Sequence, residues 1–413
     1  MVIKKYYTIS EVSEVLDKNK ETIRRWDRDG KLNAVREPMS NYRVYKKSDL
    51  EVFPEFQRLF NSDEQSNAVK PLKNYSVLEL FAGAGGLAIG LEKAGLNCAA
   101  LNEIDKWACQ TLRNNRPKWK VLEGDVRNHS FNEYKNNVNV VTGGFPCQAF
   151  SYAGKKLGLN DARGTLFYEF ARVVKEVQPD ICIGENVRGL LSHDKGKTLE
   201  GMISILDEIG YRVVSPVKVL KAIHYKVPQK RERLILVGVR KDLVQEYEYP
   251  KPFSKIYNLE DALKKGSLFS VDVPHSEGAK YPDHKKKVLD LVPPKGYWRD
   301  LPLDIQKDYM QKSFYLGGGK TGMARRIGWD EPSLTLTCSP AQKQTERCHP
   351  DETRPFTVRE YARIQTFPDK WEFSGSISQQ YKQIGNAVPV NLAKEIGYSI
   401  IRFLNDVYKQ ASE

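Results

Sequence analysis

Cys147 lies in the run Gly144-Phe145-Pro146-Cys147-Gln148, directly after an apolar stretch, Val138 to Thr142, that reads as a buried strand. A polar, glycine-punctuated stretch from Ala149 to Gly164 follows and reads as a mobile loop. A thiol at the carboxyl end of a strand stands where open α/β sheets keep ligands and chemistry. Pro146 fixes φ and donates no N–H, so the turn presenting the thiol is stiff. A lone cysteine is more often a small buried hydrophobe, but two further features set this one apart. Glu185-Asn186-Val187 closes another apolar run, Asp180 to Gly184. Gln229-Lys230-Arg231-Glu232-Arg233 comes just before a strand-like run, Leu234 to Gly238. A thiol, a carboxyl and two guanidinium groups, each at a strand edge, make a candidate catalytic constellation.

A second motif, Phe81-Ala82-Gly83-Ala84-Gly85-Gly86, lies between a strand and a helix. Glycines there let backbone approach a ligand at a helix N-terminus. Gly83, Gly85 and Ala88 fit the dinucleotide fingerprint, with Glu103 at the distance expected for a ribose hydroxyl. Glu103 on a ribose and Asp125, in Gly124-Asp125-Val126, beside an adenine amine would suit any adenosine cofactor. On these residues alone a nicotinamide oxidoreductase stays open.

Strands and helices alternate from Val77 to about Val239, the pattern of a parallel sheet with covering helices. The expected fold is α/β with a Rossmann-like, mostly parallel sheet. From Tyr249 to about Thr353 prolines, lysines and glycines break the pattern, and an irregular domain is expected there. Val390 to Tyr408 reads as an amphipathic helix. At the front, Thr8 with Glu11 three residues on fits a capping box, and apolar positions to Leu16 have helical spacing. Lys20 to Trp26 reads as a second helix and Asn41 to Tyr45 as a small wing. These readings divide the chain into residues 1–55, a polar linker 56–73, a catalytic domain 74–248 and 373–413, and an irregular domain 249–372.

The 413 residues carry a net charge of +13, which favours a polyanionic partner, nucleic acid first. No apolar run approaches a membrane span, and Met1 to Tyr7 lacks the apolar core of a signal peptide. The six cysteines form no CxxC pair or zinc spacing, so they read as reduced thiols with no metal. A cytoplasmic location is expected.

The chain resembles DNA (cytosine-5)-methyltransferases. The motifs occur in that family's order: Phe81 to Gly86, Asn102 to Asp105, Gly124 to Val126, Gly144 to Gln148, Arg163 to Phe167, Glu185 to Val187, Gln229 to Arg233, Arg359 to Gln365 and Gln383 to Pro389. One departure is Ile104, where the family commonly has tryptophan. The resemblance implies S-adenosyl-L-methionine as cofactor, held by Phe81, Gly83, Gly85, Gly86, Glu103, Ile104, Asp125, Val126, Pro146, Asn386 and Val388. It implies Cys147 as the nucleophile at cytosine C6, with Glu185 on N3 and Arg231 and Arg233 holding the pyrimidine O2 and the thiol loop or pairing with Glu185. Burial at a strand end is expected to raise the pKa of Glu185. The target base must be flipped out of the duplex. Residues 249–372 resemble the family's target-recognition domain, with Gly317 to Thr321, Arg325 and Arg326 as DNA contacts and Thr335 beside the flipped nucleotide. The resemblance also implies Gln148, Ser151 and Arg163 as DNA contacts. The segment from Tyr7 to Val52 resembles the winged helix-turn-helix of the MerR and excisionase-like group, which implies that Thr22, Arg24, Arg25 and Arg43 face DNA.

The resulting expectation is a DNA cytosine-5 methyltransferase of the prokaryotic modification type, a monomer on duplex DNA with a cognate restriction endonuclease as genetic partner. The alternatives are an RNA cytosine methyltransferase of the same fold and a DNA-binding transcription regulator with a vestigial catalytic body.

Overall fold

The computed structural model describes residues 5–16, 18–37, 41–53, 55–57, 67–145, 165–317, 320–343 and 345–410. The chain forms two compact units, Met1–Asn67 with Lys251–Ile256, and Ala68–Pro250 with Tyr257–Glu413.

In the N-terminal unit, strands β1 (Tyr6–Thr8), β2 (Ala34–Arg36) and β3 (Arg43–Lys46) form an antiparallel sheet in the order β1-β3-β2. The helix Ile9–Leu16 starts where the capping box predicts. Glu11 N–H donates to Thr8 Oγ1 at 3.3 Å and Thr8 N–H donates to Glu11 Oε2 at 2.8 Å. The second helix, Lys20–Arg28, is capped by Asn19, whose side chain accepts from Thr22 N–H at 2.6 Å. Val12, Leu16 and Ile23 from these helices are buried with Tyr7, Leu32, Tyr45, Leu50 and Phe56, and Ile9, Val15 and Trp26 pack against them. The β2–β3 hairpin is the expected wing.

The larger unit is built on a sheet of eight strands. They are β4 (Ser76–Leu80), β5 (Asn97–Glu103), β6 (Val121–Glu123), β7 (Val140–Gly143), β8 (Ile181–Val187), β9 (Tyr211–Val213), β10 (Lys218–Lys221) and β12 (Glu232–Arg240). The order is β10-β12-β8-β7-β4-β5-β6, with β9 also paired to β12. β4 to β8 pair in parallel, while β12 runs antiparallel to β8, β9 and β10. The parallel strands are apolar on both faces, as doubly covered strands must be. Val77, Val140, Ile181 and Ile183 face one core with the C-terminal helix Val390–Gln410. Leu78, Leu80, Val141 and Cys182 face the other, with the helices Leu166–Val177 and Lys197–Glu208. A short parallel pair, β11 (Gln229–Lys230) with β13 (Ser333–Leu334), joins the arginine-rich motif to the irregular segment. That segment has its own cluster around Tyr281, Leu289, Trp298 and Met310.

The helix Gly86–Ala94 lies against the C-terminal helix. The close approach needs a missing side chain at Gly90, where a Cβ would stand 2.3 Å from Ala393 Cβ and 2.6 Å from the Val390 carbonyl oxygen. Gly90→Ala is therefore expected to force the helices apart and to cost about 1–3 kcal/mol. A fall in the denaturant midpoint checks this; an unchanged midpoint would mean the helices have room to separate freely.

Candidate active site

The carboxyl ends of β4, β5, β7 and β8 open into one cleft of about 1030 Å³. At its first end the chain leaves β4 through a turn with left-handed backbone at Phe81 (φ 57°), Gly83 (φ 54°) and Gly85 (φ 82°). For Phe81 that conformation is strained, a frequent property of ligand-holding turns. Glu103, at the end of β5, braces the turn. Its Oε2 accepts from Gly83 N–H at 2.7 Å, and its Oε1 accepts from Ile104 and Asp105 N–H at 2.9 and 2.7 Å. A carboxylate has about four acceptor positions, so capacity remains for a ligand hydroxyl. Gly85 caps the helix Gly86–Ala94 without a side-chain hydrogen bond, and free N–H groups at a helix start attract an anion. Ile104 lines the cleft with 67% of its surface exposed, a platform for a flat ring. Asp125 pairs with Arg127, whose side-chain and backbone hydrogen bonds hold its carboxyl down to about 2. Val126 and Val388 are buried on the lining and Asn386 is exposed on it.

Glu79 is decisive for the kind of ligand. It lines this cleft, is 3% exposed, and its Oε2 has no hydrogen-bond partner among the described residues. Burial, with Glu103 nearby, pushes its pKa well above the ordinary value. An orphaned buried carboxyl beside a second one suits a ligand that brings a cation or an N–H donor. Together with the helix start and the ribose-type acceptor, the residues fit an adenosine ligand that carries both a cationic and an anionic group.

At the other end of the cleft stands Glu185, inside β8 rather than beyond it. The antiparallel register pairs Arg233 with Val187 and Ile235 with Glu185. Arg233 and Glu185 are thus diagonal neighbours on one face of the sheet, and Arg233 Nε forms an ion pair with Glu185 Oε1. Their side chains are 11% and 12% exposed. Burial raises the Glu185 pKa, opposed by Arg233 and then Arg231. Gly144 leaves this carboxyl room, since a Cβ there would meet Glu185 Oε2 at 3.0 Å. On the opposite face Asn186 Nδ2 donates to the Phe145 carbonyl oxygen at 2.8 Å. The Phe145 ring packs on Phe167 and Phe170, with centroids 5.1 and 5.6 Å away. Phe145, two residues before the thiol, is therefore fixed both by its backbone and by its ring.

A sequence profile described as C-5 cytosine-specific DNA methylase matches residues 75–402. The chain belongs to that family. It is a DNA (cytosine-5-)-methyltransferase. It is 61% identical over 411 residues to the Type II methyltransferase M.Eco47II of Escherichia coli, covering 99% of this chain and 98% of that one. It is 55% identical over 411 residues to M.PspPI of a Psychrobacter species, covering 99% of each. Among solved structures, Spodoptera frugiperda DNMT2 superposes with a TM-score of 0.56 at 17% identity, over 79% of this chain and 99% of that one; this likeness speaks for the fold alone. A MerR HTH family regulatory protein profile matches residues 7–73.

Several expected site residues of the methyltransferase, Pro146, Cys147, Gln148, Ser151 and Arg163, lie outside the described residues. So do Gly318 and Gly319. Thr335 lines the cleft, its hydroxyl donating to the Lys230 carbonyl at 2.5 Å. Arg231 differs from expectation. It is 2% exposed, and its terminal nitrogens donate to the Leu336 and Gly385 carbonyls at 3.1 and 2.8 Å. It joins the segment after β13 to the helix Ile377–Asn386, while its Nε is buried with no hydrogen-bond partner among the described residues. Arg326 is a correction. It is 4% exposed and donates to the Val292, Leu289 and His349 carbonyls, so it is core structure and has no donor for DNA. Arg325 is largely committed too, to Glu331 at 2.7 Å. In the N-terminal unit Arg24 and Arg43 are paired with Glu21 and Asp27 at 3.2 and 3.1 Å, while Arg25 is exposed with no ion pair among the described residues.

Sequence reading assigned no role to Glu79, Asn186 or Gln229. Gln229 Oε1 accepts from Leu336 N–H at 2.9 Å, and its Nε2 donates to Gln365 Oε1 at 3.0 Å. The signal available for each was a polar residue inside an apolar strand or at its edge. Asn186→Ala is expected to leave the Phe145 carbonyl unpaired, cost about 1–3 kcal/mol, and slow turnover at least tenfold (about 1.4 kcal/mol of barrier) with unchanged cofactor affinity. Turnover and calorimetry on one preparation check both halves.

Proposed function

We propose that the chain transfers a methyl group from S-adenosyl-L-methionine to C5 of a cytosine flipped out of duplex DNA, within one recognition sequence, and thereby protects host DNA from a cognate restriction enzyme. The observation that carries this reading is the single cleft with Glu79 and Glu103 at one end and the Glu185–Arg233 pair at the other. Its near relatives are Type II methyltransferases, which supports the protective role. The MerR-type profile supports a regulatory role in transcription for the N-terminal unit.

S-adenosyl-L-methionine supplies an electrophilic methyl group on a sulfonium. Glu103 would accept from the ribose, the helix start at Gly85 would hold the carboxylate, and Glu79 would face the positive charge. Ile104 would cover the adenine with less stacking area than an aromatic ring. Cytosine C5 is a poor nucleophile, so Cys147 would add as thiolate to C6, making C5 enamine-like. Glu185 would share or give a proton at N3 as charge builds on the ring. Arg233 pairs with that carboxyl and holds it in place. After methyl transfer the C5 proton leaves and the C6–sulfur bond breaks, restoring the thiolate.

Bisulfite sequencing of DNA from cells that express the chain tests activity, position and context together; the absence of any protected cytosine would defeat the proposal. Cys147→Ser is expected to fall below about a tenth of wild-type turnover, because a hydroxyl is far less ionised than a thiol at neutral pH. A 5-fluorocytosine duplex is expected to trap a covalent adduct with the wild type only. Glu103→Ala is expected to weaken S-adenosyl-L-methionine binding by about 1.5–3 kcal/mol, with DNA affinity nearly unchanged, measured by calorimetry.

The pH profile tests Glu185. Its acid form is the useful one, so the rate is expected to fall as pH rises through its raised pKa. Arg233 opposes that rise, so Arg233→Ala is expected to move the alkaline limb to higher pH while lowering the maximum. A limb that moves down would assign it to another group.

A further inference from the structure

The N-terminal unit contains a piece of distant chain. Lys251–Ile256 belongs to it, although Pro250 and Tyr257 on either side belong to the larger unit. On the near side the Pro250 carbonyl accepts from Tyr225 OH at 3.1 Å, and Tyr249 OH donates to the Ile235 carbonyl at 3.0 Å. On the far side Asn258 caps the helix Leu259–Leu263 through a capping box with Asp261, and Leu259 is fully buried. Between these anchors the Lys251 carbonyl accepts from Asn67 Nδ2 at 3.0 Å, Phe253 is buried, and Ile256 packs against the core that holds Tyr7, Val12 and Ile23.

This strap is also the covalent entry from the catalytic sheet to the segment read above as the target-recognition domain. Its other residues are Lys251, Pro252, Ser254 and Lys255, which provide little apolar surface to fix a conformation. Freed from the helix-turn-helix core, the strap would regain backbone freedom. The recognition segment would then enter DNA binding with more disorder to lose. We infer that the N-terminal unit is a positioning element for target recognition: by gripping Ile256 and Lys251 it sets how well the enzyme takes up its duplex, apart from any DNA the unit binds itself. Ile256, Phe253 and Asn67 are its positioning residues.

Full-length variants test this on unmethylated plasmid DNA. Ile256→Asp is expected to raise KM for DNA about fivefold or more, with kcat and cofactor affinity within about twofold, and to make the peptide bond after Lys255 cleavable by trypsin in the native protein. Ile256→Val is expected to restore the wild-type KM and protection. Arg25→Glu, which removes the exposed cation of the helix Lys20–Arg28 and leaves the strap gripped, is expected to leave the bond after Lys255 resistant to trypsin and to raise KM for DNA far less than Ile256→Asp does. If Ile256→Asp exposes the bond while KM stays unchanged, the inference is overturned. If Arg25→Glu raises KM as much as Ile256→Asp does, the unit works as a DNA tether and the inference is likewise overturned. Phe253→Ala and Asn67→Ala, which remove packing or one hydrogen bond without adding charge, keep the test decisive should the aspartate prevent folding.

Discussion

To hold a charge, a carboxyl in the interior of a parallel sheet needs a cation beside it, and for Glu185 the fold supplies one by reversing a strand. Glu185 is nearly enclosed, so an unpaired charge there would carry a heavy desolvation cost. A parallel neighbour would bring its own carboxyl end to the same edge. β12 runs the other way and brings its amino-terminal end, where Arg233 is the second residue of the strand. The reversed strand at the end of the parallel run is thus what allows an acid group to sit at the catalytic edge. Arg231, just before that strand, adds charge from deeper in the fold while its hydrogen bonds tie the irregular segment to the helix Ile377–Asn386.

The two ends of the cleft use carboxyls in opposite ways. Glu103 accepts three backbone N–H bonds, which hold it rigid and leave room for a ligand hydroxyl. Glu185 has a guanidinium but is desolvated, and its pKa moves up. Glu79 has neither compensation, and its environment favours the neutral acid until a ligand arrives. One cleft therefore holds three carboxyl groups in three different settings, fixed by what the backbone and the sheet place around each.

Much of this was legible in the sequence. The glycine turn, Glu103, Glu185 and Arg233 were readable because each ends or edges an apolar run, and strand ends converge in open α/β sheets. The helix-turn-helix was readable because Thr8 with Glu11 and the spacing of Val12, Leu16 and Ile23 are local signals. Arg326 was misread because a basic pair in a glycine-rich segment looks like a surface feature; only the three-dimensional convergence of carbonyls from Leu289, Val292 and His349 shows it as a core strut. The strap Lys251–Ile256 left no sequence trace, because its partner core is assembled from residues at the front of the chain.

The close packing of the helix Gly86–Ala94 against the C-terminal helix has a consequence for biogenesis. A Cβ at Gly86 would meet the Val388 carbonyl oxygen at 2.4 Å, so the turn before the C-terminal helix forms a wall of the cofactor end of the cleft. That wall is synthesised after the sheet, the arginine-rich motif and the whole irregular segment. A nascent chain whose residues 388–410 have not emerged from the ribosome has the sheet edge but lacks this wall of the cleft. Translation order therefore delays closure of the cleft until the sheet is already outside the exit tunnel.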